Sequence, residues 1–438
     1  MESAPGGALM SPTKVPVLQV PRLSYQLRCG ARLLISPRPG APVTAVRFHV
    51  RGGKALDPEG KEGLAFLTGR LTDQGSSKLD ESALAAEIEP AGGEIQGDAH
   101  GLTGSIAGDS WKLLIDLMGE LFTDAAYPAG PVAIQRTRLA NRLAVQEDDP
   151  RAVGSQIFRR LVYGDHYLGR DEYGTAASIA AIAPKELRAH RKKNWVAERL
   201  WVAVCGDVDP EKVRRHLDRV LRDVPKGKPF ERPTDRFPKE STRVDAFTKS
   251  REQVHVYLGH LGVKRSTPDW ESIVVMDYIL GSGPGFTNRV SRILRDELGL
   301  AYSVHANLHS SAGLSRGVFG AYIGTSPEHV GTAVAGFLHE IRRIREELVG
   351  ADELKLVKDY LLGSSALGFE RASRRARYLI QAESLGYPED HLERMREAYA
   401  KVTAKQVREA ARTHLSPDTS CLAAAGPVTK KELRAMLS

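Results

Sequence analysis

The chain has 438 residues, 42% of them hydrophobic and 26% charged, with a formal net charge of +8. That length exceeds what one hydrophobic core sustains, about 250–300 residues, so two domains are expected, and the composition excludes a disordered or fibrous protein. No apolar run approaches the ~18 residues of a membrane span, and MESAPGGALMSPTKVPVLQ lacks the basic-then-apolar order of a signal peptide, so no membrane span and a cytoplasmic location are expected.

The first clear element is VTAVRFHVRGG (43–53), whose alternation predicts a half-buried strand. A polar loop leads into GLAFLTGRLTDQG (63–75), which opens like a helix with Leu64, Phe66, Leu67 and Leu71 and ends at Gly75. Thr68, Gly69 and Arg70 sit in mid-turn, although a helical glycine costs about 1 kcal/mol relative to alanine. Further on, the amphipathic APKELRAHRKKNW (183–195) precedes RLWVAVCGDVDPEKV (199–213), an apolar strand closing at Gly206 before a helix start. VPKGKPFERPTDRFPKE (224–240) carries four prolines and many charges and reads as a linker.

Beyond it the order returns. QVHVYLGHLGV (253–263) alternates as a strand, KRSTPD is a loop, and WESIVVMDYIL (270–280) is a helix followed by GSGPG. A helix is expected over 287–298, capped by Gly299, with a strand from about Ala301. Near the end, TAKQVREAARTHL precedes TSCLAAAGPVTKKEL (419–433), which repeats 199–213 at an offset of 220, with Gly206 falling on Gly426. The expected fold class is therefore α+β: two similar domains, at 16–223 and 246–438, joined by a linker at 224–245, each a sheet faced by helices.

Cys29, Cys205 and Cys421 lack metal spacing, and the latter two lie in apolar strands, so they read as reduced, buried thiols. The basic clusters at 188–195 and 371–378 fall on helices with apolar opposite faces and without interleaved aromatics, so no nucleic-acid partner is expected. The glycine-rich turn at 281–285 lacks the Gly-Lys-Ser/Thr ending of a phosphate loop and follows a helix instead of a strand. His305 and His309 alternate on a strand, two pleats apart, which does not suggest a metal site. Arg295, in the last helical turn, and Tyr302, seven residues later across the reversal, bring a long cation and a phenol to one helix–strand corner.

The glycine-rich turn, the helix bearing Arg295, GLAYSV and YIGTSPEHV (322–330) resemble the second domain of the pitrilysin and mitochondrial-processing-peptidase family. The resemblance runs from about residue 20 to the C-terminus. These are zinc peptidases of the inverzincin type, built from two homologous domains, each a mixed, mainly antiparallel sheet faced by helices. The resemblance implies that Arg295 and Tyr302 bind peptide substrate and stabilise the oxyanion near a zinc centre.

Catalytic relatives carry H-x-x-E-H on the helix after the first strand, with two zinc-binding histidines, a glutamate base and a downstream glutamate as third ligand. Here Phe66 stands at the first histidine, Gly69 at the glutamate and Arg70 at the second histidine, and Arg142, before EDDP, falls at the third ligand. Phenylalanine offers no lone pair, glycine is no base and a guanidinium repels a metal cation. No zinc is expected in this chain and no catalytic residue in the chain alone. The implied function is that of a non-zinc subunit, a component of a heterodimeric metalloendopeptidase, lending Arg295 and Tyr302 to a homologous partner that holds zinc on H-x-x-E-H. The alternative is a catalytically inert assembly subunit of the same fold.

Overall fold

The computed structural model describes residues 19–283, 287–365 and 367–437. Most of the N-terminal segment read as lacking a signal peptide, the first residues of the expected 16–223 unit, and Pro284, Gly285 and Phe286 of the glycine-rich turn lie outside the described residues.

Two sheets form. The first takes β1 (Leu23–Gln26), β2 (Arg32–Pro37), β3 (Val43–Val50), β4 (Glu94–Asp98), β5 (Gly101–Ala107) and β6 (Leu200–Gly206) in the order β1-β2-β6-β3-β5-β4. The second takes β7 (Arg243–Thr248), β8 (Val254–Leu261), β9 (Val304–Asn307), β10 (Val318–Thr325) and β11 (Cys421–Gly426) in the order β7-β11-β8-β10-β9. Each sheet has one parallel pair, β2 with β6 and β7 with β11, and is otherwise antiparallel. The repeated segments thus occupy equivalent places: β6 and β11 both lie between a parallel neighbour and an antiparallel one.

Side-chain alternation gives each sheet two faces. On one, Val46, Phe48 and Leu102 meet Leu114, Met118 and Phe122 of helix Trp111–Asp124, with the Phe48 and Phe122 rings edge to face at 5.8 Å. Val256, Leu258 and Ile323 likewise meet Ile273, Val334 and Phe337 of helices Trp270–Asp277 and Val330–Glu346. Burying a side chain of this size is worth roughly 1.5–3 kcal/mol, so these layers dominate the stability of both halves.

The opposite faces are covered by exchange. Helix Pro150–Tyr163, from the first half, lays Phe158 and Val162 on Leu261, Cys421 and Ala423 of the second sheet. Helix Ala372–Leu385, from the second half, lays Ala376, Leu379 and Ile380 on Leu34, Ala45, Ala203 and Cys205 of the first. Small strand residues on these faces let the helices come close. Each sheet is sandwiched only by borrowing a helix, so each half contributes to the other's core. Arg32 Nε to Glu383 Oε1 at 2.9 Å adds an ion pair across the same junction.

The coil between β6's following helix and β7 is mostly exposed but tied down. Arg232 donates to Ser315 Oγ at 2.9 Å, and Asp235 meets Lys264 at 3.2 Å. Cys29, Cys205 and Cys421 are buried free thiols, and burial pushes each thiol pKa up. Among the described residues no helix is long and apolar enough to cross a membrane.

Candidate functional site

The helix that carries H-x-x-E-H in zinc-bearing relatives spans Leu64–Arg70 here. Its N-terminus is held from a distance: the Asp57 carboxylate accepts from Gly63 N at 2.9 Å and Ala65 N at 2.6 Å, satisfying donors that a helix start leaves unpaired. Burial pushes the Asp57 carboxyl up to about 6, against the pull of those two N–H groups. The buried side is a hydroxyl ladder: Thr68 Oγ1 donates to Leu64 O and Thr72 Oγ1 to Thr68 O, each at 2.7 Å, and the buried Tyr127 hydroxyl donates to Thr68 O at 3.1 Å. A 3-10 turn over Thr72–Gln74 follows, ending at Gly75 with φ 109°, where the sequence predicted termination.

Phe66 meets the edge of Tyr173 with ring centroids 4.8 Å apart, and the Arg142 guanidinium lies over the same Tyr173 ring at 4.0 Å. The first-ligand and third-ligand positions are therefore close in space, as a metal centre would require, but they are bridged by an aromatic ring and topped by a cation. Arg70 turns to Asp73, Nη1 to Oδ2 at 3.0 Å. Gly69 is packed so tightly on β4 that a Cβ there would lie 1.7 Å from the Asp98 carbonyl oxygen, and a Cβ on Gly97 would lie 1.7 Å from the Gly69 oxygen. The zinc implied by the family does not fit these residues: two positions are cationic, one is aromatic, and the base position has no room for a side chain. Among the described residues, no group of three or more His, Cys, Asp or Glu is placed to hold a metal ion.

Tyr173 and Gly97 were not singled out from the sequence. Tyr173 sits in a loop without a pattern. Gly97, a glycine inside the strand EIQGD, carried the usual sign of close backbone approach.

In the second half the corner forms, with changes. Helix Trp270–Asp277 passes into a π turn over Tyr278–Ser282, and Ser291–Glu297 is a second π-helical stretch where an ordinary α-helix was expected. Leu298 N bonds Ile293 O at 3.0 Å in the wide i→i+5 spacing. Gly299 adopts φ +64°, the left-handed cap that the sequence predicted, and its N–H reaches Arg295 O at 3.1 Å. Wide turns of this kind recur at functional sites.

Arg295 is largely covered, its side chain 17% exposed, and its guanidinium chelates Asp296 through Nε at 2.8 Å and Nη2 at 3.1 Å. This contact holds the Asp296 carboxyl below the usual range. Tyr302 is 97% exposed and contributes nothing to the core. It stands two residues ahead of β9, which starts at Val304 and not near Ala301.

His309 lies beyond β9 and is not on a strand with His305. It is bound to Asp277, fully buried, whose Oδ2 accepts from Leu308 N at 2.6 Å, His309 N at 2.6 Å and His309 Nδ1 at 2.7 Å. Asp277 thus pins the far end of β9 to the helix that precedes the glycine-rich turn, fixing the strand that Tyr302 introduces. Arg289, buried, clamps the other side through paired 2.8 Å bonds to Glu353.

A duplicated α+β chain with exchanged helices, a metallopeptidase-type helix stripped of its ligands and an Arg/Tyr corner in its second half define a class of non-catalytic peptidase-like chains. Comparison with known proteins agrees. The family model described as the peptidase M16 inactive domain matches residues 181–361. An uncharacterized zinc protease of Streptomyces coelicolor is 26% identical over 92% of this chain and 89% of its own length. A Helicobacter pylori chain named as a non-peptidase homolog, YmxG, is 23% identical over 85% of this chain and 86% of its own. In the crystal structure of a peptidase M16 inactive domain from Pseudomonas fluorescens, the fold superposes with a TM-score of 0.86 at 22% identity, covering 93% of this chain and 98% of that one. These likenesses support an M16, pitrilysin-like chain that lacks the zinc motif.

Proposed function

We propose that this chain is the non-zinc half of a two-chain M16 peptidase, acting in the cytoplasm on peptides held at a partner's zinc. Peptide hydrolysis needs a metal-activated water and a donor for the oxyanion that forms, and two chains divide these tasks here. The carrying observation is the contrast between the two halves. The positions of ligand and base are filled by Phe66, Gly69, Arg70 and Arg142, whereas a tyrosine with no packing role is presented at the Gly299 corner, 97% exposed. In this reading Arg295 exchanges Asp296 for a substrate carbonyl and the Tyr302 hydroxyl donates to the oxyanion. An assembly-only role draws on the same Asp296 contact, since it occupies the Arg295 fork.

The test is to purify the chain from its native cell with whatever homologous chain accompanies it, and to assay peptide cleavage with and without chelator. The proposal expects a zinc-bearing companion, chelator-sensitive cleavage by the pair and none by this chain alone. Cleavage by the isolated, tag-free chain with one bound zinc overturns it.

A further inference from the structure

A cavity of about 340 Å³ lies between helix Pro150–Tyr163 and the outer face of the second sheet, within the size range of small-ligand sites. Two cross-strand rows build it. Tyr257, Tyr322 and His305 stand side by side, with the Tyr322 ring 5.0 Å from Tyr257 and 5.1 Å from His305. In the next row Gly320 stands between Gly259 and Asn307, and its missing side chain leaves a hollow in the floor, whereas Gly259 is packed against Phe319 O and the Phe158 ring. A Cβ on Gly320 would meet Phe158 at no less than 3.5 Å, so that floor has room.

The roof is the helix face made by Ser155, Phe158 and Arg159, spaced i, i+3, i+4. No Asp or Glu lines the cavity. Arg159 gives Nη2 to the Leu168 carbonyl at 2.7 Å, and among the described residues no carboxylate stands within ion-pair distance of it. A second cation, Arg151, lies over the Tyr322 ring at 4.7 Å. Asp149, two residues before it, is engaged as the helix cap, accepting from Arg151 N at 2.9 Å.

We propose that this cavity binds an amphipathic carboxylate, an apolar or aromatic group bearing a carboxyl, as found at the C-terminal residue of a peptide or in a free aromatic acid. The rings of Phe158, Tyr257 and Tyr322 receive the apolar part. The open edge of the Arg159 guanidinium takes the carboxylate, a planar charge-assisted pairing that suits arginine. The proposal goes beyond the proposed function and needs neither a partner chain nor Tyr302.

The test is calorimetric titration of the full chain with acetyl-Ala-Ala-Phe as free acid, the same peptide as C-terminal amide, and acetyl-phenylalanine. Saturable binding of the free acids is expected, with the amide weaker by about tenfold or more, the size of one lost charged hydrogen bond. Comparing the tripeptide acid with acetyl-phenylalanine separates a peptide terminus from a small acid as the preferred source. Arg159→Gln should lower acid affinity to that of the amide, and Gly320→Leu should abolish binding. Equal affinity for acid and amide, or no saturable binding of either acid at millimolar concentration, overturns the proposal on the wild-type chain whether or not the variants fold.

Discussion

A Cβ added to Gly69 would lie 1.7 Å from the carbonyl oxygen of Asp98, because the helix Leu64–Arg70 rests directly on β4. The position that bears the glutamate base in zinc-bearing relatives has been turned into a backbone contact. Restoring the residue type therefore does not restore the site.

Gly69→Ala should destabilise the chain by about 3 kcal/mol or more, the cost of forcing a packed strand aside. Chemical denaturation measures it. The triple change Phe66→His, Gly69→Glu and Arg70→His should yield a less stable protein without stoichiometric zinc, read by elemental analysis. A stable variant with one zinc per chain would show that β4 yields more easily than the packing implies.

Asp277 is the second structural anchor. Replacing it by alanine leaves Leu308 N, His309 N and the His309 ring without their shared acceptor. A loss of about 3 kcal/mol is expected for removing a buried charged acceptor with several donors. Asp277→Asn, which keeps one carbonyl oxygen, should cost less. Hydrogen exchange should show the β9 end opening in both variants before the rest of the second sheet.

Acid should weaken the fold through its buried histidines. His190, buried with neither ring nitrogen bonded, is lowered to about 4, and burial also lowers His49, His100 and His260. Each binds fewer protons folded than unfolded below its ordinary value, for His190 between about pH 6.5 and 4, so stability falls as pH drops from 6.5. The slope is at most about 1.4 kcal/mol per pH unit for each such group. Asp57, raised to about 6, works in the opposite direction over part of that range. Denaturation midpoints measured from pH 7 to 4.5 should decline, and His190→Leu should decline less steeply.

Much of this architecture could be read from residues alone. The offset of 220 that superposes Gly206 on Gly426 corresponds to equivalent strands in the two sheets, and Phe66, Gly69 and Arg70 mark a helix without the zinc motif. The exchange of helices could not be read. Periodicity in Pro150–Tyr163 marks Phe158 and Val162 as an apolar face, but it says nothing of which sheet that face covers. Small residues in the strand Cys421–Gly426 hinted at a close neighbour on its outer side. Tyr173, which bridges Phe66 and Arg142, and Asp277, which reaches across a turn to His309, are tertiary contacts between loops and helices that carry no local pattern. The π turns around the glycine-rich segment were likewise hidden, since their residues read as ordinary helix.

The measurement that bears most directly on the account is the steady-state rate of the reconstituted two-chain complex carrying Tyr302→Phe. Tyr302 is 97% exposed, so losing its hydroxyl should leave folding and pairing intact. If it donates to the oxyanion, kcat should fall by ~10²–10³ while KM changes little, the mark of a contact made mainly in the transition state. Unchanged kcat and kcat/KM in Tyr302→Phe, with Arg295→Ala equally active, would contradict the account and leave assembly as the role of this chain.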